Sequence, residues 1–350
     1  MVFQGARLAQ ADVASDRAAA IVVWPKILVT PETDTIVQVS NTSTETQILH
    51  CFYINATSHC SISQRACDTF ESPCAVEEGL CLPGWIETDF QVVLTPRQPL
   101  FWIASTGLAG NQLPLNGTSF VGPQGQSNAG TRVPPTSEEI WVGELKCIVV
   151  DGTGRAINRN VIKGEGTLVT TVGSVGDFTV EKYSAVGIQA IEGDANGDNI
   201  LVLGGDANEY NGCSNILIAD HFFDFAVNPV SGDEVTTQLT LIPCTQDLLN
   251  QIPGGTTVQY LVFNEYEQRF STSTPIQCYF ERELSLIDTR NQERSVFSAF
   301  VSGTLTGQTR IRGVGQGLIG LLRTRSGDDL AAKNLHMQGE RDFPDQVIIP

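Results

Sequence analysis

The sequence predicts an all-β protein of two β-sandwich domains, the N-terminal one immunoglobulin-like. Three observations carry that expectation. The chain is a succession of strand-length runs rich in Val, Ile, Thr, Phe and Tyr, each bounded by Gly, Pro, Asn or Ser. Helical signals are few, with Thr245-Gln246-Asp247-Leu248-Leu249-Asn250 the one short helical turn expected, ended by Pro253-Gly254-Gly255. At 350 residues the chain exceeds one typical core, so two domains are expected.

Residues 1–18 form an N-terminal segment without the basic start and apolar core of a secretory signal, so no signal peptide is expected in this chain as it stands. Ala9-Gln10-Ala11 before Asp12 nevertheless has the small-x-small pattern of a cleavage site, and the segment reads as the remnant of a signal peptide. The first sandwich is expected over 19–105. AIVVWPKILV, TDTIVQVSN and TQILHCFYIN supply three strands, with Pro31-Glu32 and Asn41-Thr42-Ser43 as turns. In the third, Leu49, Cys51 and Tyr53 share one face and His50, Phe52 and Ile54 the other. Both faces are largely apolar, as in a central strand covered on both sides. TDFQVVL and PLFWIAS follow. Residues 106–137 carry Gly, Asn, Gln and Pro without a period and read as a linker or long loop. The second sandwich is expected over 138–350, from ELKCIVVD and EGTLVTTV through SNILIADHFF, TTQLTLIPC and SVFSAFVSGTLTGQTRIR to DQVIIP.

Within the first domain, the insert 58–82 places Cys60, Cys67, Cys74 and Cys81 at every seventh position. Pro73 and Gly79 break a helical heptad, and six residues between successive thiols is not the tight pairing of a zinc site. The polar filling has too little apolar content to order itself by burial, so two local disulfides are expected, with the three pairings open. Cys244 with Cys278 and Cys147 with Cys213 are further candidate bridges. Cys51, inside an apolar strand, is the candidate free thiol among nine cysteines.

A net charge of −18 with only five lysines opposes a phosphate backbone, which excludes nucleic acid as a natural partner. No apolar run reaches the length of a membrane span. A charged fraction of only 17% and a Ser-, Thr-, Asn- and Gly-rich surface suit a secreted, periplasmic or cell-surface protein.

The runs IVVWPKILVTPETDTIVQVSNTSTETQILHCFYINA, ETDFQVVLTPRQPLFW, GELKC, LTLIPC, VQYLVFNEYEQRFS and NLHMQGER together resemble a group of uncharacterised exported bacterial β-sandwich proteins. The resemblance spans most of the chain and implies the same two-part β architecture and export. No activity or catalytic residue is attached to that group, so no site is transferred. The chain departs from the group in the cysteine-bearing insert and in the lack of a signal peptide.

Few motifs carry chemistry. Asp194, Asn196 and Asp198 occupy positions 1, 3 and 5 of a calcium loop, but Gly205 stands where a bidentate carboxylate is needed and Asn199 where glycine is. Calcium is therefore the one cofactor candidate, against a plain hairpin tip at Asn196-Gly197. Gly315-Gln316-Gly317-Leu318-Ile319-Gly320 matches a dinucleotide fingerprint by letter but opens no helix, so a glycine-rich turn is expected. The histidines His50, His59, His221 and His336 are scattered. Asp220-His221 is the best catalytic candidate, and its neighbours should point to opposite faces of a strand. Trp85, Trp102, Trp141 and Tyr210 are candidates for a sugar platform, and Asn41, Asn55 and Asn116 head glycosylation sequons. The resulting expectation is an exported, non-catalytic structural or adhesive protein whose partner is a surface protein or a carbohydrate. The alternative is a carbohydrate- or ligand-binding module.

Overall fold

The computed structural model describes residues 13–63, 65–67, 73–82, 84–108, 132–172, 177–191, 198–205, 209–341 and 343–350, with 114–115 and 118–119. It is all β apart from a few short helical turns. The first sandwich is built from β1 (Ile21–Val29), β2 (Thr33–Asn41), β3 (Gln47–Asn55), β4 (Ile86–Leu94), β5 (Pro99–Ile103), β6 (Trp141–Val150), β7 (Ile162–Thr171), β8 (Phe178–Ser184) and β9 (Val186–Ile188). One sheet runs β9-β1-β6-β3-β4, with Val13–Ala14 outside β9, and the facing sheet runs β8-β7-β2-β5.

This membership moves the expected division. The run ELKCIVVD, assigned from the sequence to a domain over 138–350, is β6, which fills the gap between β1 and β3 and hydrogen-bonds to both. β7 pairs with β2 in the other sheet. The first sandwich therefore extends past residue 180, and 106–137 falls in sequence between two of its strands, Pro99–Ile103 and Trp141–Val150. The physical reason is that a central strand can be supplied by any apolar run of the right length, and local composition does not say which gap it fills.

The second half contains β10 (Ile200–Leu203), β11 (Ser214–Phe222), β12 (Val235–Pro243), β13 (Gln246–Asp247), β14 (Gly255–Asn264), β15 (Arg269–Gln277), β16 (Phe280–Glu283), β17 (Thr306–Gly313), β18 (Leu318–Ser326), β19 (Asp329–Asn334), β20 (His336–Glu340) and β21 (Asp345–Ile348). Its sheets run β15-β14-β17-β11-β20 and β16-β12-β18-β19, and a small sheet β10-β21-β13 closes one end. The helical turn expected at 245–250 is not made, because Gln246–Asp247 pair in parallel with β21. Conversely, SVFSAFVSGTL, read as strand, contains α1 (Ala299–Ser302): Ser298 caps it by accepting from the Phe300 amide, and Gly303 ends it at φ 69°.

Three apolar cores result. One lies inside the first sandwich and holds Leu49, Cys51 and Tyr53; one lies inside the second around Tyr260, Phe223 and Phe297. The third lies between the sandwiches, where Ile21, Val23, Phe52, Ile54 and Ile148 meet Ile242, Leu248, Ile319 and Val347. β3 thus faces two cores, as its two apolar faces predict.

The four insert cysteines pair as Cys60–Cys74 and Cys67–Cys81, two interleaved local bridges. The other guesses are corrected. Cys51 is not free: it is the register partner of Cys147 and is bonded to it. Cys213 pairs with Cys244, and the free thiol is the buried Cys278. Strand pairing decided these partners, and the spacing of the cysteines did not contain it. The Cys51–Cys147 bridge joins neighbours within one sheet, whereas the immunoglobulin hallmark joins two sheets.

Candidate functional site

Of the calcium residues, Asp194 and Asn196 lie outside the described residues. Asp198 accepts from the Ile200 amide at 2.8 Å, as a turn residue does. The aromatic platform is dispersed into the cores: Trp102, Trp141 and Tyr210 are fully buried and Trp85 packs against the inter-sandwich core. Two sequon asparagines are structural. Asn41 is buried and donates to the carbonyls of Glu45 and Thr95, and buried Asn55 donates to Glu138. Asn116 lies outside the described residues.

The glycine motif is the β17–β18 turn, as expected. The Gly317 amide donates to both oxygens of Asp345, and a Cβ there would sit 2.4 Å from that of Cys213, so only glycine permits the approach. The sulfurs of Cys213 and Cys244 cluster with Asp345, and those of Cys60, Cys67 and Cys74 cluster in the insert. All five are consumed in disulfides, which leaves no thiolate for a metal.

The cavity nearest the sequence's catalytic candidate opens between the two sheets of the second sandwich. It has a volume of about 680 Å³ and is lined by β11, β14 and β17 on one side and β18 and β19 on the other, with Phe222, Phe263, Asp220, Glu265, Gln308 and Lys333 at its wall. Its polar groups answer one another. Lys333 donates to the Asp220 carbonyl, Gln308 donates to the Asp220 carboxylate, and Glu265 accepts from both the amide and hydroxyl of Thr306. His221 is buried beneath them, one ring nitrogen against the Phe222 carbonyl at 2.9 Å and the other against the Thr309 hydroxyl at 2.8 Å. Burial pushes its pKa down to about 4, so the ring is neutral near pH 7. Asp220 points the other way, toward His336 at 3.8 Å. The strand alternation expected for Asp220-His221 is observed, and the Thr309 hydroxyl that meets the imidazole is buried with it, turned away from solvent. His50 and His59 are engaged elsewhere, by Asp89 and Glu138.

The layer between the sandwiches, which sequence reasoning passed over, is more densely polar. Lys26 on β1 is fully buried, 2.6 Å from Glu281 on β16, and donates to Gln238 on β12. Glu281 also accepts from the hydroxyls of Tyr279 and Thr240. Burial opposes its charge, but Lys26 and those hydroxyls outweigh burial and hold the carboxyl below its usual range. Arg323 on β18 makes three hydrogen bonds of 2.6 to 2.9 Å to the buried Glu181 of β8. Deeper in, Glu144 and Lys146 project from the same face of β6 and both contact Gln246 of β13. All three side chains are buried, and Glu144 Oε2 has no hydrogen-bond partner. The signal that could have found them is a charged residue inside an apolar strand, as in IVVWPKILV and GELKCIVV.

No family model matches the chain, and no curated protein matches it. Among the described residues no helix is long and apolar enough to cross a membrane.

Proposed function

We propose that this is an exported, non-catalytic structural or adhesive protein, a rigid double sandwich that presents the insert 58–82 to a partner surface. One observation carries the reading. The insert is fixed by two interleaved disulfides, yet it turns large apolar side chains outward: Val76 is 96% exposed, Leu80 73% and Ile62 70%. A small module held by bonds keeps its shape without hiding its apolar residues, which is what a contact surface needs. Four disulfides suit an oxidising compartment outside the cytosol, in keeping with the resemblance to exported bacterial proteins. The burial of His221 together with the Thr309 hydroxyl it meets, out of reach of a substrate, supports the absence of turnover.

The test is to excise 61–80 together with Cys60 and Cys81 and to measure retention of the protein on the surface of the producing cell. Retention should fall while the melting temperature of the sandwiches holds. Unchanged retention overturns the adhesive role, and hydrolysis of a polysaccharide or ester that is lost in His221→Ala overturns the non-catalytic one. A second reading, a carbohydrate- or ligand-binding module, is favoured by the cavity at Phe222 and Phe263, where two half-buried rings stand beside Asp220, Gln308 and Lys333. Calorimetric titration with an oligosaccharide panel decides it, with Phe222→Ala as the control.

A further inference from the structure

The Glu144, Lys146 and Gln246 cluster has more chemistry in it than a structural contact needs. The three side chains come from β6 of the first sandwich and from β13 of the small sheet that closes the second half, are buried from water, and are arranged in order: the Lys146 amine against the Gln246 carbonyl oxygen, and the Gln246 amide nitrogen against the Glu144 carboxyl. The second carboxyl oxygen of Glu144 is buried without a partner. A hydrogen-bonded lysine and glutamine could be replaced by two apolar residues at no loss of stability, so an amine, an amide and an acid sealed together call for another explanation.

We propose that Lys146 and Gln246 form an intramolecular isopeptide bond, promoted by Glu144, that joins the first sandwich covalently to the second half of the chain. The amine nitrogen attacks Cδ of Gln246, one bond from the oxygen it already touches. The new Nζ–Cδ bond forms as the Cδ–Nε2 bond breaks. Glu144 gives its acid proton to the departing Nε2 and takes one proton from Nζ, so the carboxylic acid is regenerated and one ammonia leaves. No oxidant, reductant or cofactor enters. Burial prepares both partners, drawing the Lys146 amine down from its usual range toward the nucleophilic neutral form and pushing the Glu144 carboxyl up toward the acid. The neighbouring free thiol, Cys278, is a poorer nucleophile there, because burial pushes its pKa up and keeps it protonated.

The bond is independent of what the insert meets, and it is read by mass. The full chain, purified from folded material and then denatured, reduced and alkylated, should be lighter than its sequence by one ammonia. Chymotryptic mapping should yield one branched peptide linking the Lys146 and Gln246 segments. Glu144→Gln, which removes only the acid, and Lys146→Met should both restore the full mass. The wild-type measurement stands by itself if a variant fails to fold. Full mass in folded wild type with free Lys146 overturns the proposal. So does an ammonia loss that persists in Lys146→Met, which would place it at an Asn-Gly site, or one accompanied by loss of the Cys278 thiol, which would make it a thioester.

Discussion

Among the described residues from 58 to 82, only Cys60 and Cys67 are buried, whereas between the sandwiches Lys26, Glu144, Lys146, Glu181 and Gln246 are all buried. The insert holds its shape by covalent bonds, with Arg65 and Glu78 paired at 2.8 Å on its outside. The layer holds by exclusion of water and by ions that meet their partners in the dark. The contrast teaches that exposure and rigidity are separable. A disulfide constrains the chain whatever its surroundings, while a buried ion is worth something only as long as its partner stays.

The largest effect should come from breaking the layer. Glu281→Ala leaves the Lys26 ammonium buried and uncompensated, and should lower unfolding stability in urea by about 3–5 kcal/mol. The double change Lys26→Met with Glu281→Leu should recover most of that loss, because two apolar groups of similar volume need no partner. If the double change is as unstable as the single one, the layer is held by hydrogen bonding and not by charge balance.

Acid should attack buried groups before the insert. The His221 pKa lies at about 4 in the fold against an ordinary 6.5, so the native state holds fewer protons in that window. Its contribution is complete above 6.5 and is lost as pH falls through the window, by roughly 3 kcal/mol in all. Denaturation midpoints followed from pH 7 to 4 should show that slope, and His221→Gln should flatten it. Glu78, by contrast, is held down to about 2, first by its hydrogen bonds to Arg65 and then by the Ala75 amide. The Arg65 Nε proton should therefore keep its bonded NMR shift at pH 4 and lose it only near 2.

Opening one insert bridge should barely touch the whole. Cys60→Ala with Cys74→Ala removes a loop constraint of about 3 kcal/mol from the insert alone. Global stability should stay within about 0.5 kcal/mol, as for a surface change, while limited proteolysis between 61 and 80 accelerates. A large drop in melting temperature would show that the insert props up the first sandwich.

The smallest effect is expected from Glu78→Ala. It should leave the melting curve unchanged and quicken amide exchange at Ala75, whose amide Glu78 accepts at 2.8 Å.

What the sequence by itself determined was most of what is local, short of the strand at Gln246–Asp247 and the helical turn at Ala299–Ser302. The strand runs, the turns, the two apolar faces of β3, the glycine turn at 315–320 and the local bridging of the insert cysteines all rest on residues close along the chain. The opposed directions of Asp220 and His221 follow from strand alternation in the same way. What only the tertiary structure decided was long-range pairing. β6 enters the first sheet between β1 and β3, so Cys51 meets Cys147 across a sequence separation of 96 and is not free. Lys26 meets Gln238 across 212 residues, Arg323 meets Glu181 across 142, and Lys146 meets Gln246 across 100. A lysine within an apolar strand announces that a partner must exist, because burying it alone is too costly. Which residue answers depends on how two sheets stack, and that is set by the sum of many weak apolar contacts, with no one stretch of sequence carrying it.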